Sequence, residues 1–190
     1  TENTALKYIE TGNIPAPMGN RYAAVSPYDS FACKGAKVII AAGNQKLYEK
    51  LCNEVLERPD MITDPRFVDM PGRLANQDAI AEVIEERIKD LTPNEAAELV
   101  LAHGIPAGPI MNIKEILDDP HVKEREMFVE MDHPTLGKVT VNGCAIKLMD
   151  TKPSVRTPAP QLGQNNRDIF EGVLGMTEEQ FNTLHEKQVF

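Results

Sequence analysis

The spacing of apolar residues predicts helices over much of the first two thirds of the chain. From Gln45 to Glu57, apolar residues recur every three or four positions, so we expect a helix with one apolar face. The same period runs from Arg73 to Leu91, with charged residues between, and predicts the longest helix. The sequence Thr-Pro-Asn-Glu at Thr92 is a capping box with proline at the first helical position. It predicts a further helix that Gly104 ends.

Two short apolar runs predict a β-hairpin near the start of the chain. They extend over Tyr28–Cys33 and Lys37–Ala42, and the Lys34-Gly35 pair between them can supply the positive φ of a tight turn. Asn44 is expected to be the N-cap of the helix that follows. The segment 105–111 is apolar but contains two prolines, which favours an edge strand or a buried extended segment.

The pattern changes after position 127. Short strand candidates lie at 128–131, 138–141 and 145–149, followed by a proline-rich stretch at 151–162. Helices are predicted at 166–174 and from a capping box at Thr177, whereas 58–70 is expected to be loop. The chain therefore predicts an α+β fold, with a hairpin and several helices first, then a short-stranded, proline-rich segment with two helices.

Composition and charge narrow the classes of partner. The chain has 190 residues, of which 42% are hydrophobic, enough for one large domain or two small ones. Its net charge is −9, which argues against nucleic acid or an anionic membrane as partner, because both require clustered lysine and arginine. The sequence also contains no apolar run of membrane length.

The cysteines indicate a reducing compartment. Cys33, Cys52 and Cys144 are odd in number, far apart and without a Cys-x-x-Cys pair, so neither a disulfide framework nor a zinc site is predicted. We expect a cytoplasmic protein. The first residue is Thr1 and not methionine, so either the N-terminus was processed or the sequence is a piece of a longer protein, and we expect the second.

Spacing alone predicts no catalytic residue and no metal site. The serines lie outside any Gly-x-Ser-x-Gly elbow, and the four histidines are widely separated, with no His-Glu-x-x-His. The sequence Gly-Ile-Pro-Ala-Gly at Gly104 lacks the spacing of a dinucleotide or phosphate loop. The segment Gly19–Ser26, rich in small and polar residues and halted by Pro27, is the remaining candidate. A loop fixed to a hairpin can present atoms to a substrate, but it can equally be structural.

A specific combination of short motifs resembles a known family. They are Gly19-Asn20, Pro27-Tyr28, Lys34-Gly35, Gly43-Asn44, Asp64-Pro65-Arg66-Phe67, Arg73, Asn76, Gly104 to Ile110, Asp119-Pro120-His121-Val122, Arg125, His133-Pro134, Gly137, Ala159-Pro160 and Leu162-Gly163. In this order they resemble the C-terminal half of a class III CoA-transferase. The family includes formyl-CoA:oxalate and crotonobetainyl-CoA:carnitine CoA-transferases, so acyl-CoA or carnitine metabolism is the expected setting. α-Methylacyl-CoA racemase is a relative.

The resemblance implies a domain organisation. Residues 1–18 resemble a linker from a large domain, 19–127 the small domain, and 128–190 a segment that returns to the large domain. It also implies an interlocked homodimer. The aspartate that forms the acyl and CoA intermediates would lie outside this chain, in the N-terminal half.

The resemblance also implies one substrate-binding element, the loop Asn20, Arg21, Tyr22, Ala23, Ala24, Val25 and Ser26. Formyl-CoA transferase has a run of glycines at these positions. Alanine and valine have less backbone freedom than glycine, so a mobile lid and a rigid rim of the acyl pocket both remain open. The substrates implied are an acyl-CoA and a carboxylate, with coenzyme A entering as a thioester and no separate cofactor.

The expected function is therefore that of a fragment of a CoA-transferase. Two alternatives stay open. One is racemase chemistry, in which an acid/base pair removes a proton next to the thioester. The other is a chain that is inactive by itself and serves in folding and dimerisation.

Overall fold

The structure is a computed structural model that describes residues 2–189. The chain divides into two compact units, the first unit up to Met111 and the second unit from Asn112 onward. Each combines helices with a small antiparallel sheet, so the predicted α+β class is confirmed. The resemblance implied boundaries after residues 18 and 127 within a complete, longer subunit. That division stays a prediction.

The first unit consists mainly of helices. In chain order they are α1 (Glu2–Thr11), α2 (Gln45–Lys50), α3 (Asp60–Thr63), α4 (Met70–Ala75), α5 (Gln77–Ile88) and α6 (Pro93–Ala102). A π-helical segment, Leu51–Val55, continues α2, so the predicted helix at 45–57 forms with a wider last turn. Among the residues described, no helix is both long and apolar enough to span a bilayer.

The sheet of the first unit contains β1 (Tyr28–Ala32), β2 (Lys37–Ala41) and β3 (Ala107–Pro109) in that spatial order, all antiparallel. The predicted hairpin is confirmed, and Gly35 has a φ of +80°, the region that glycine enters without a Cβ clash. The strand β3 lies at the edge, as its prolines predicted.

Side-chain carboxylates cover the outer edge of β1. The N–H of Ser30 donates to Asp29 Oδ1 at 2.6 Å, and the N–H of Ala32 donates to Glu85 Oε1 of α5 at 2.8 Å. Glu85 therefore joins the free edge of the sheet to the longest helix of the unit.

One apolar core lies between the sheet and helices α2, α5 and α6. On β2, Val38 and Ile40 are fully buried while Ile39 between them is 43% exposed, the alternation expected of a strand with one covered face. The other large members of the core come mainly from helical positions: Tyr48, Leu51, Val55, Met61, Ile80, Ile84, Ile88, Val100 and Ile105.

The prediction of one continuous helix at 73–91 is wrong, because the structure has two helices there, α4 and α5. It is interrupted at Asn76, whose backbone angles (φ −121°, ψ 34°) are not helical, and α5 ends at Ile88. The Asn76 side chain donates to the Gly72 carbonyl at 2.9 Å, so its amide competes with the backbone for the acceptors at the end of α4. The predicted loop at 58–70 is likewise corrected, because it contains α3 and the first residue of α4.

The second unit contains short helices and one hairpin. Its elements are α7 (Ile113–Asp118), α8 (Pro120–Glu124), β4 (Phe128–His133), β5 (Gly137–Asn142), a π-helical segment (Asp168–Val173) and α9 (Glu178–Glu186). Asn112 and Thr177 cap α7 and α9 through capping boxes, and the one at Thr177 was predicted. Phe181 of α9 is buried, and the guanidinium of Arg167 lies 4.6 Å from its ring centre.

The third strand predicted for this unit, at 145–149, does not form. The N–H of Gly143 donates to the Met127 carbonyl at 2.8 Å, which turns the chain at the end of β5. Ile146 and Met149 are 69% and 95% exposed. An apolar run makes a strand only where a partner strand accepts its hydrogen bonds, and none of the described residues supplies one here.

Candidate functional site

The predicted site residues form the loop between the linker and β1, called here the 20–26 loop. Gly19 precedes it with a φ of +67°, and Pro27 follows it. The geometry of this loop depends on what holds its two ends and its middle.

At the start of the loop, side chains connect it to β1 and α5. Asn20 Nδ2 donates to Ser30 Oγ at 3.0 Å. Arg21 Nε donates to Asp29 Oδ2 at 3.2 Å, and Arg21 Nη2 pairs with Asp78 of α5. The hydrogen bond with Asp78 raises the pKa of Arg21 above its ordinary value. The guanidinium of Arg21 is therefore paired with two carboxylates.

In the middle of the loop, Tyr22 is held against the hairpin. Its N–H donates to the Tyr28 carbonyl at 3.1 Å, and the two rings lie 5.5 Å apart between centres, tilted by 46°. Both rings remain partly exposed, at 41% and 43%. The loop therefore adds a backbone hydrogen bond at the edge of β1.

At its end the loop is buried and held by α4. Ser26 is only 2% exposed; its N–H donates to the sulfur of Met70 at 3.3 Å, and its carbonyl accepts from Arg73 Nε at 3.1 Å. Val25 packs on Gly43, where an added Cβ would lie 3.2 Å from Val25 Cγ2. Close packing at this point depends on the glycine.

Arg73 is the supporting residue that sequence reasoning missed. It is 2% exposed, and its Nη1 donates to Gln45 Oε1 at 3.0 Å and to the Phe67 carbonyl at 2.9 Å. Its guanidinium lies 4.4 Å from the ring centre of Tyr48. Burial lowers the pKa of Arg73. A signal was present in the sequence, because Arg73 shares the helical period of the buried Ile80, where an apolar residue is the usual choice.

An open cavity of about 930 Å³ lies beside the loop. Its walls come from α1, the linker and the loop: Thr4, Lys7, Asn13, Ile14, Pro15, Ala16, Met18, Arg21, Tyr22, Ala23 and Ala24. Within the described chain, Asn20, Val25 and Ser26 do not line it. The structure therefore gathers four of the seven predicted residues at one cavity, while the other three fasten the loop.

The described cysteines and histidines do not form an activated nucleophile at this loop. Burial raises the pKa of the thiols of Cys33 and Cys52, which favours the unreactive protonated form. Nδ1 of His103 lies 3.1 Å from Glu54, on a different part of the first unit from the 20–26 loop. No group of three or more metal-ligating side chains occurs within residues 2–189.

Curated relatives match most of the chain. It is 33% identical to the succinyl-CoA:mesaconate CoA-transferase of Haloarcula hispanica over 171 residues, 90% of this chain and 42% of the relative. It is 30% identical to the succinyl-CoA–D-citramalate CoA-transferase of Chloroflexus aurantiacus over 99% of this chain and 47% of the relative. For human succinyl-CoA:glutarate CoA-transferase the identity is 30%, over 82% of this chain and 35% of the relative. The chain spans less than half the length of these relatives.

Solved structures share the fold. A CaiB/BaiF family protein from Brucella suis superposes with a TM-score of 0.69 and 27% identity, over 90% of this chain and 44% of that one. A Mycobacterium tuberculosis protein in an orthorhombic crystal form gives a TM-score of 0.70 at 22% identity, over 87% of this chain and 42% of that one. The model of CoA-transferase family III matches residues 1–166. The chain belongs to CoA-transferase family III.

Proposed function

We propose that this chain is part of a CoA-transferase that moves CoA from an acyl-CoA donor to a carboxylic acid acceptor. The observation that carries the proposal is the family match over residues 1–166, together with relatives named for transfer of CoA between acids. The nucleophile would be an aspartate outside this chain. Exchange of a carboxylate with a thioester conserves the energy of the bond, so coenzyme A would enter as a substrate and no separate cofactor is needed.

We propose succinyl-CoA and dicarboxylic acids as the first substrates to test. Three of the relatives, at 30–33% identity over at least 82% of this chain, are named for succinyl-CoA as donor, with mesaconate, D-citramalate or glutarate as acceptor. These acceptors share two carboxylates. An acceptor panel should therefore compare dicarboxylic with monocarboxylic acids of equal length.

The 20–26 loop would border the acyl end of the substrate as a fixed rim. Its start is held by Arg21 and its end by Arg73, while Ala23 and Ala24 between them face the cavity. A segment with hydrogen bonds at both ends and in its middle has few conformations to lose when a ligand binds. This arrangement favours the interpretation of the loop as a fixed rim rather than as a mobile lid.

We further propose a homodimeric enzyme of the cytoplasm. The interlocked dimer is an implication of the family resemblance. The three cysteines are free thiols, which is the usual state in a reducing compartment.

The test is an assay of the complete enzyme and of this chain alone. We expect the complete enzyme to transfer CoA from succinyl-CoA to a dicarboxylic acid, and the 190-residue chain to be inactive. If the chain alone turned over substrate, and a mutation in the chain abolished that turnover, the proposal that the nucleophile lies outside this chain would be contradicted. Exchange of the proton next to the thioester without transfer of CoA would point to a racemase instead.

A further inference from the structure

The buried guanidinium of Arg73 joins three segments that are far apart in sequence. It donates to the carbonyl of Ser26 in the 20–26 loop, to the carbonyl of Phe67 after α3, and to the side chain of Gln45 at the start of α2. The flat face of the group lies on the ring of Tyr48. Each donor distance is between 2.9 and 3.1 Å, so all three are full hydrogen bonds.

The charge of Arg73 has no carboxylate partner among the ion pairs of residues 2–189. Burying an unpaired cation is costly, and an apolar residue of similar volume would fill the same space at lower cost. Core packing alone therefore does not account for an arginine at this position. Its planar fork can bond several fixed oxygens at once, which lysine cannot do.

The backbone of Ser26 is the point where the guanidinium of Arg73 meets the candidate site. One turn of α4 holds both backbone polar groups of Ser26, since Met70 accepts its N–H and Arg73 donates to its carbonyl. Two residues earlier, Ala24 lines the cavity. Arg73 itself does not line the cavity, but it bonds the backbone two residues away from the cavity wall.

We infer that Arg73 is a positioning residue for the substrate site, fixing the backbone of Ala23 and Ala24 through the Ser26 carbonyl. The inference rests on the proposed function for its link to catalysis. Its structural part, that Arg73 holds the loop, is independent of any substrate.

The first measurement is amide hydrogen exchange on this chain, comparing Arg73→Lys with the unchanged protein. Lysine keeps the charge but loses the fork, so we expect exchange at Tyr22 and Ser26 to become about tenfold faster relative to the amides of β2. The matched control is Arg87→Lys. Arg87 also donates to a backbone carbonyl, that of Val55 at 2.8 Å, but not to the loop. It should leave loop exchange unchanged.

A milder variant keeps the inference testable if Arg73→Lys does not fold. Arg73 Nη1 bonds two oxygens, and Gln45→Ala removes one of them. Gln45 is exposed, so its loss should disturb the fold less. We expect a two- to threefold faster exchange at Ser26. Unchanged exchange at Ser26 in whichever variant folds would overturn the inference.

The second measurement is turnover by the complete enzyme. Arg73→Lys should lower kcat/KM about tenfold or more and change the preference between short and long acyl-CoA donors, whereas Arg87→Lys should change neither. A loosened loop with unchanged turnover and preference would overturn the link between Arg73 and the site. Failure of the unchanged enzyme to transfer CoA would instead contradict the proposed function, because loop exchange is read without substrate.

Discussion

Replacing Gly72 by alanine should destabilise the first unit, against the usual preference for alanine in a helix. An added methyl group would lie 2.7 Å from the Arg66 carbonyl oxygen and 3.0 Å from Asp69 Oδ1. Both neighbours are constrained: Arg66 contributes a backbone atom, and Asp69 is the N-cap of α4, accepting the N–H of Gly72 at 2.8 Å. The methyl group can fit only if the start of α4 moves.

The change in the free energy of unfolding follows from one stabilising and two destabilising effects. Alanine normally gains about 1 kcal/mol over glycine inside a helix. Overpacking against fixed atoms costs about 1–3 kcal/mol, and a weakened N-cap costs about 0.5–2 kcal/mol. We therefore expect Gly72→Ala to lower the free energy of unfolding by about 2 kcal/mol, equivalent to about 30-fold faster exchange of a core amide.

The assay is hydrogen exchange at the amide of Ile84, which is fully buried in α5. The matched control is Gly108→Ala in β3, because no atom lies within 4 Å of the added methyl group and Gly108 is not among the glycines with positive φ. Its effect should stay within about 0.5 kcal/mol. Equal or slower exchange at Ile84 in Gly72→Ala would refute the reasoning.

Three further predictions concern the loop and a helix cap. Asp78→Asn should speed exchange at Tyr22 slightly, and the effect should shrink in high salt because the Asp78 carboxylate is largely exposed; equal effects at both salt concentrations would contradict this. Ala24→Pro in the complete enzyme should restrict the loop and strongly reduce turnover while unfolding changes by less than about 1 kcal/mol; unchanged rates would show a scaffold only. The pKa of Glu95 is lowered by the hydrogen bond from the Thr92 N–H, so its support of α6 is present above the ordinary carboxyl pKa and is lost as the pH falls through the lowered value. Glu95→Gln should abolish that acid sensitivity in exchange measured along α6, and its persistence would be the contrary result.

The local features of the fold could be predicted because their causes lie within a few residues. Asn44, Thr92 and Thr177 each accept the N–H of the residue three positions ahead, so each helix start can be predicted from the sequence. The same holds for the hairpin, whose turn depends on Gly35. The resemblance to the family likewise used ordered local motifs, and the family match confirmed it.

The support of the candidate site could not be predicted, because it depends on contacts across long stretches of chain. Arg73 reaches Ser26 over 47 positions, and Arg21 reaches Asp78 over 57. The apolar period around Arg73 marks it as an unusual position, but nothing local in the sequence indicates which distant segments Arg73 and Arg21 bond. The break at Asn76 escaped prediction for the opposite reason, since the apolar period continues through it while its side chain ends α4.

The covered edge of β1 limits how this unit can join another chain. An open strand offers alternate N–H and carbonyl groups to any extended peptide, which is the common route to β-augmentation and to aggregation. Here the carbonyl of Tyr28 and the N–H groups of Ser30 and Ala32 are already bonded, and at the opposite edge Pro109 has no N–H to offer. An incoming strand would have to displace those bonds at β1 and would lack one N–H partner at β3, so both edges are poorer templates for strand addition than a fully open edge.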